Sequence, residues 1–170
     1  MKKYRLIEEE TIKHYGRTLH RIEALRDFSD VKAGDKGGFI ECEDNLSHEG
    51  NCWVYDAAKV YDRAVVLDNA KVMDNACVYN RAIIEDNAEV MDECLVCGRA
   101  LISGSAIVRD SAKARGLSVV TDDAELCDNA HVYGNAVVAG RESVGGRVCV
   151  GGIVEMLNDI DINGNTIFEI

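Results

Sequence analysis

A six-residue repeat constrains this chain more than any other feature. Ala58, Ala64, Ala70, Ala76, Ala82 and Ala88 fall six residues apart without a slip. The register continues through Cys94, Ala100, Ala106, Ala112, Ser118, Ala124, Ala130 and Ala136. Two residues after each small residue stands another apolar one, from Val60, Val66 and Val72 to Val138, Val144 and Val150. Turn-forming pairs precede the small residues: Asp68-Asn69, Asp74-Asn75, Asp86-Asn87, Asp128-Asn129 and Gly134-Asn135. Residues two apart on a strand share a face, so the small and aliphatic positions both point inward. A strict period of six fits neither a heptad nor a 3.6-residue helix. It predicts an all-β fold, a β-helix in which three hexads complete one triangular coil of 18 residues. Residues 50–157 hold 18 hexads. That makes about six coils and, at the usual inter-strand spacing, a prism about 28 Å tall.

Outside the repeat, residues 1–40 form a non-repeating unit. Thr11 to Tyr15 and Arg17 to Leu25 flank Gly16 and predict a β-hairpin, followed by a loop with a short turn over 28–38. This unit is expected to cap the first coil, because an open β-helix end is an unpaired edge. The β-helix then spans 41–157, loosening over the glycine-rich 140–152, and 158–170 forms a short apolar tail expected to cap the last coil. There is no proline, so the 15 glycines carry much of the turn punctuation.

The repeat resembles that of the left-handed hexapeptide-repeat proteins, whose best-known members are acyltransferases. The stretch Ala24-Leu25-Arg26-Asp27-Phe28-Ser29-Asp30-Val31-Lys32-Ala33-Gly34 resembles the opening segment of the bacterial YdcK-type transferases. So do Gly37-Gly38-Phe39-Ile40, Leu46-Ser47 and Gly50-Asn51-Cys52-Trp53-Val54-Tyr55-Asp56. The resemblance implies a left-handed coil and an acyl-CoA-dependent activity. Fold alone does not carry the activity.

Sorting the hexads by 18 assigns each outward residue to a face. The first face carries Trp53, Lys71, Glu89, Ile107 and Glu125; the second carries Lys59, Cys77, Leu95, Lys113 and His131. The third carries Val65, Ile83, Leu101, Val119 and Val137, apolar outside as well as inside. Such a stripe is not an ordinary solvated surface. It predicts a homo-oligomer interface, with a closed trimer favoured. The alternative is that one end of the chain folds back over it.

Beside this stripe the turn residues Arg63, Arg81 and Arg99 stack one above another. Tyr61, Tyr79 and Tyr133 point to the same edge, with Cys97 and Arg115 between them. Stacked guanidinium groups repel unless anions lie among them, and tyrosine offers a flat stacking surface. The combination suits a nucleotide-like or other small anionic ligand, or a partner protein. The plainer alternative is that the arginines pair with carboxylates such as Asp62.

An acidic column, Asp56, Asp74, Asp92, Asp110 and Asp128, has two further readings: turn carboxylates accepting their own backbone N–H groups, or ligands for a hard cation such as calcium. An acidic surface could also imitate a nucleic-acid backbone toward a basic partner.

For acyl transfer, four histidines are candidate bases: His14 and His20 in the hairpin, His48 in the first irregular coil, and His131 in the regular coils, with His131 and His48 favoured. A coenzyme A thioester would be the cosubstrate. No loop interrupts 50–139, which counts against an active site built on an extruded loop. Cys94 and Cys97 form an isolated CxxC with one member inward, and the coils offer one histidine, so no zinc site is expected. The net charge of −11 disfavours duplex nucleic acid. No apolar run is long enough to span a membrane. Seven cysteines without a leader-like N-terminus suggest reduced thiols and a cytoplasmic protein; a bacterial or phage-borne origin would suit a binding protein. The balance favours a non-catalytic oligomeric binding protein, with an acyltransferase as the alternative.

Overall fold

A computed structural model describes residues 2–157 and 161–169. Strand β1 (Tyr4–His14) and strand β2 (Arg17–Ala24) form an antiparallel hairpin, which continues through β3 (Lys36–Ile40) into the solenoid. From Trp53 onward nearly every strand is two residues long, and each pairs in parallel with the strand 18 residues later. Three sheets result, of ten, seven and six strands.

The parallel β-solenoid is the architecture expected of a left-handed hexapeptide β-helix. It makes about seven turns rather than six. The difference arises at both ends: before residue 50, Phe39–Ile40 already pairs in parallel with Lys59–Val60 and Leu46 bridges Val66. Asp161–Ile162 pairs with Ser143–Val144 on the first face, and Ile167–Glu169 pairs with Cys149–Gly151 on the second. Residues 158–160 and 170, which belong to the segment expected to cap the last coil, lie outside the described residues. The hairpin begins earlier than the pattern implied, at Tyr4, because Tyr4 to Ile7 pair with Ala24 to Arg21.

The core follows the hexad. The small and aliphatic inward positions, such as Ala58, Val60, Ala64 and Val66, are fully buried. Each buried valine contributes about 1.5–3 kcal/mol relative to an exposed one. A small residue stands just after each turn, leaving space where the coil bends.

The corners are set by backbone conformation. Asp56, Asp62, Asp68, Asp74, Asn80, Asp86 and Asp92 all adopt positive φ, between 50° and 61°. Asp and Asn tolerate this region better than other non-glycine residues. At the corner between the second and third faces the column runs Asp62, Asn80, Gly98, Gly116, Gly134 and Gly152. A Cβ on Gly98 would meet the Gly116 nitrogen at 2.7 Å.

The N-terminal segment closes the first coil. Lys3 is fully buried, its ammonium donating to the Cys52 carbonyl at 2.9 Å and lying 3.3 Å from Cys52 Sγ. Trp53, outward by register, is 1% exposed because Phe28 and Tyr4 pack edge-on against it.

Candidate functional site

The turn carboxylates are occupied. They accept the N–H one coil later rather than their own. Asp92 accepts from Asp110 N at 2.9 Å, Asp110 from Asp128 N at 3.0 Å, and Asp128 from Gly146 N at 2.8 Å. At the corner between the third and first faces, Asp86 accepts from Gly104 N at 3.0 Å and Asp122 from Gly140 N at 3.1 Å. The carboxylates therefore bridge successive coils, and like-charge repulsion along each column is offset by these donors. Among the described residues, no cluster of acidic, histidine and cysteine side chains has the arrangement of a metal site.

The corner between the second and third faces differs. Its single turn carboxylate, Asp62, accepts from Asn80 N and Nδ2, both at 3.1 Å, and pairs closely with Arg17 of β2. Glu41 also binds Arg17, at 2.8 Å, and accepts from Asp62 N at 2.7 Å. Arg17 thus takes the carboxylates that Arg63 could have used. Arg63, Arg81 and Arg99 are exposed, and among the described residues no hydrogen bond or ion pair is found for their guanidinium groups. With Arg17, Glu41 and Asp62 they line an open cleft of about 760 Å³.

A second hollow, of about 460 Å³, adjoins the first through Arg17, Asp62 and Asn80. Its walls include Tyr61 and Tyr79, whose rings are parallel within 3° with centroids 5.2 Å apart. His14, near the hairpin tip, meets Tyr61 edge-on at 5.2 Å. Leu95 and Cys77 of the second face also line this hollow. Contact with the Cys97 thiol, followed by burial, pushes the Tyr79 phenol up to about 12.

The seven residues of the expected Tyr/Arg edge therefore separate into two groups. Tyr61, Tyr79, Arg63, Arg81 and Arg99 surround the joined hollows. Arg115 and Tyr133 pair further along the prism, the guanidinium carbon 5.5 Å from the ring centroid. Spacing does not place His14, a candidate base, or Tyr15 and Arg17 at this edge, because all three belong to the non-repeating hairpin. The repeat register carries no information about where its tip lands.

The two candidate bases lie in different surroundings. His131 shares a hollow of about 440 Å³ with Ser111, Lys113, Asn129, Arg147 and Cys149. Lys113 and Cys149 are its ladder neighbours, as the register implied. Burial, followed by Arg115 and Lys113, lowers its pKa, so the ring is neutral near pH 7. Its Nε2 is buried with no hydrogen-bond partner. His48 instead stacks on Tyr4 at 4.3 Å, accepts the Lys3 N–H at Nδ1, and holds Nε2 3.6 Å from Glu43. These contacts place it in the packing of the N-terminal cap.

The two CxxC cysteines face different ways. Cys94 is fully buried, and burial pushes its thiol up to about 12; Cys97 is half-buried at the corner. On the third face Val65, Leu101, Val119 and Val137 are half-buried, and Ile83 is 38% exposed. The hairpin and residues 161–169 join the ladders of the other two faces. Among the described residues, no helix is long and apolar enough to cross a membrane.

No family model matches the chain. Over 63 residues it is 46% identical to a curated Escherichia coli (strain K12) protein named "Uncharacterized acetyltransferase YdcK". The chain is similar to YdcK. The match covers 33% of this chain and 19% of that protein. Together with the parallel solenoid, it bears out the resemblance to the hexapeptide-repeat transferases read from the sequence. Because the shared region is a small part of YdcK, the activity in that protein's name is a proposal for this chain.

Proposed function

We propose that this chain binds a small phosphorylated, nucleotide-like ligand at the corner formed by Arg63, Arg81, Arg99, Tyr61 and Tyr79. One observation carries the reading: three aligned guanidinium groups without carboxylate partners line an open cleft. Guanidinium groups match phosphate oxygens in geometry and charge. Beside them the half-buried Tyr79, backed by the buried Tyr61 stacked on it, offers a flat apolar surface.

Calorimetric titration with pyrophosphate and with ADP tests this. Wild-type protein is expected to bind both, more weakly as salt rises. Arg81→Glu is expected to weaken both at least tenfold. Unchanged affinity in Arg81→Glu overturns the reading.

A second reading, acetyl transfer from a coenzyme A thioester, is favoured by the similarity to YdcK and by His131. Its neutral imidazole is suited to accept a proton from an acceptor hydroxyl or amine as that atom attacks the thioester carbonyl. The carbon–sulfur bond then breaks, and the departing thiolate takes up a proton. His131→Ala is expected to abolish turnover while coenzyme A still binds. His48→Ala is expected to act through cap stability. Turnover unchanged in His131→Ala removes this reading. Either function is compatible with assembly through the third face, where Val65, Ile83, Leu101, Val119 and Val137 would be buried in a homo-oligomer, a trimer being favoured. A monomer by native mass spectrometry would overturn the assembly.

A further inference from the structure

The hairpin tip breaks a local rule. Strands β1 and β2 are joined by Tyr15 and Gly16, with His14 paired to Arg17 across the turn. Both linking residues are left-handed, with φ 46° and 81°. A two-residue turn of this kind favours Asn-Gly or Asp-Gly, and a bulky side chain at positive φ is an outlier. Among the described residues, every other non-glycine residue at positive φ is Asp, Asn or Ser. Burial does not offset the strain, because Tyr15 is 87% exposed. A residue that suits neither the turn nor the core is expected where function holds it.

Tyr15 lines the second hollow, whose volume of about 460 Å³ falls within the range of about 300–1,000 Å³ typical of small-molecule sites. Its ring meets His14 edge-on at 4.6 Å, and His14 meets Tyr61 edge-on at 5.2 Å. These contacts anchor the tip to the coils while Tyr15 itself stays exposed at the rim. Much of the remaining wall is apolar: Cys77 and Leu95, half-buried on successive coils of the second face, and half-buried Tyr79. Arg17, Asp62 and Asn80 line both this hollow and the arginine cleft. A ring seated in the hollow would thus have the arginines next to it, where attached phosphates could reach.

We infer that the hairpin-tip hollow is the subsite for a heteroaromatic base, covered by the ring of Tyr15, with the attached phosphates on Arg63, Arg81 and Arg99. The inference rests on the ligand-binding reading above and narrows its ligand class to a nucleoside phosphate. Tyr15 is then the residue that separates a nucleotide from a bare phosphate. Base stacking on aromatic rings tolerates different bases, so selectivity among bases is expected to be modest.

The test compares ADP with pyrophosphate on wild-type, Tyr15→Asn and Tyr15→Phe proteins. Wild-type protein is expected to bind ADP about tenfold or more tightly than pyrophosphate. Tyr15→Asn is expected to lower ADP affinity to the pyrophosphate level, leaving pyrophosphate within about twofold of wild type. Because Asn suits the turn, the thermal midpoint of this variant is expected to equal or exceed that of wild type. Tyr15→Phe keeps the ring and is expected to retain the ADP preference. A second measurement needs no variant: saturating ADP, but not pyrophosphate, is expected to slow alkylation of Cys77, followed by peptide mass. Wild-type ADP affinity in Tyr15→Asn, or unprotected Cys77 under bound ADP, overturns the subsite. A lower thermal midpoint in Tyr15→Asn would show that the tyrosine serves folding, and likewise overturns it. If pyrophosphate binds and ADP binds no more tightly, the subsite fails while the arginine reading stands. If neither binds wild-type protein, the arginine reading fails and the subsite with it.

Discussion

The first-to-second corner and the second-to-third corner occupy equivalent places in the same six-residue unit, yet they use charge in opposite ways. At the former, Asp56, Asp74, Asp92, Asp110 and Asp128 form an unbroken column, and each carboxylate accepts an N–H from the coil above. At the latter the column loses its carboxylates after Asp62 and continues as Asn80 and then glycine. Arginines stand beside this stretch, and the nearest carboxylates are taken by Arg17. One corner spends its charge on holding coils together; the other leaves charge facing a cleft. Charge with a backbone partner one coil away is structural, whereas charge left unpartnered in a concavity is available to a ligand.

The largest effect should come from disturbing the glycine column. Gly98 has φ +76°, and a Cβ there would meet the Gly116 nitrogen at 2.7 Å. Gly98→Val, which adds a β-branched side chain in the left-handed region, is expected to destabilise by about 3 kcal/mol. Thermal unfolding should show this as a drop of several degrees. An unchanged midpoint would mean that this corner is not held by close coil-to-coil approach.

Removing a bridging carboxylate should cost less. Asp110→Ala leaves Asp128 N without its side-chain acceptor, breaks the pair with Arg109, and puts alanine at φ 63°. A loss of about 1–2 kcal/mol is expected in urea unfolding. Neutral behaviour would count against the carboxylate ladder as a stabilising device.

Asn80→Asp would make the two corners alike. Its side chain already sits at φ 61°, so the backbone need not change. The new carboxylate would stand among Arg63, Arg81 and Arg99, and pyrophosphate affinity is expected to fall about tenfold, about 1.4 kcal/mol. The change also replaces the Asn80 Nδ2 donor to Asp62 by a second carboxylate, so a loss of about 1–2 kcal/mol of folding stability is expected. Unaltered pyrophosphate binding in the calorimeter would separate that ligand from this corner.

The smallest effect is expected for Arg81→Ala. An exposed guanidinium without an acidic partner contributes little to folding, so unfolding free energy should move by no more than about 0.5 kcal/mol. A larger loss would reveal a structural partner for Arg81. Paired with Asp110→Ala, this variant measures the contrast between the corners directly.

Much of the solenoid was legible from spacing alone. The inward alanines and valines, the membership of the three faces, and the neighbours Lys113 and Cys149 beside His131 all follow from a period of 18. That period also places Tyr79, Cys97 and Arg115 on successive coils. A parallel ladder without insertions cannot slip without turning its apolar set outward, so register was specified residue by residue. The acidic column was legible as a column, but not its bonding. Its carboxylates reach the next coil because a residue at positive φ presents its short side chain there, a matter of backbone conformation.

The non-repeating segment was decided only by tertiary structure. Nothing in the hexad indicates that Arg17 reaches Asp62 and Glu41, that His14 lies against Tyr61, or that Trp53 is sealed beneath Phe28 and Tyr4. The sequence by itself determined the prism, its core and its columns, because each depends on contacts repeated at one fixed separation. Tertiary structure decided which charges were neutralised and which remained open, because those pairings join the hairpin to the coils across separations that no period encodes.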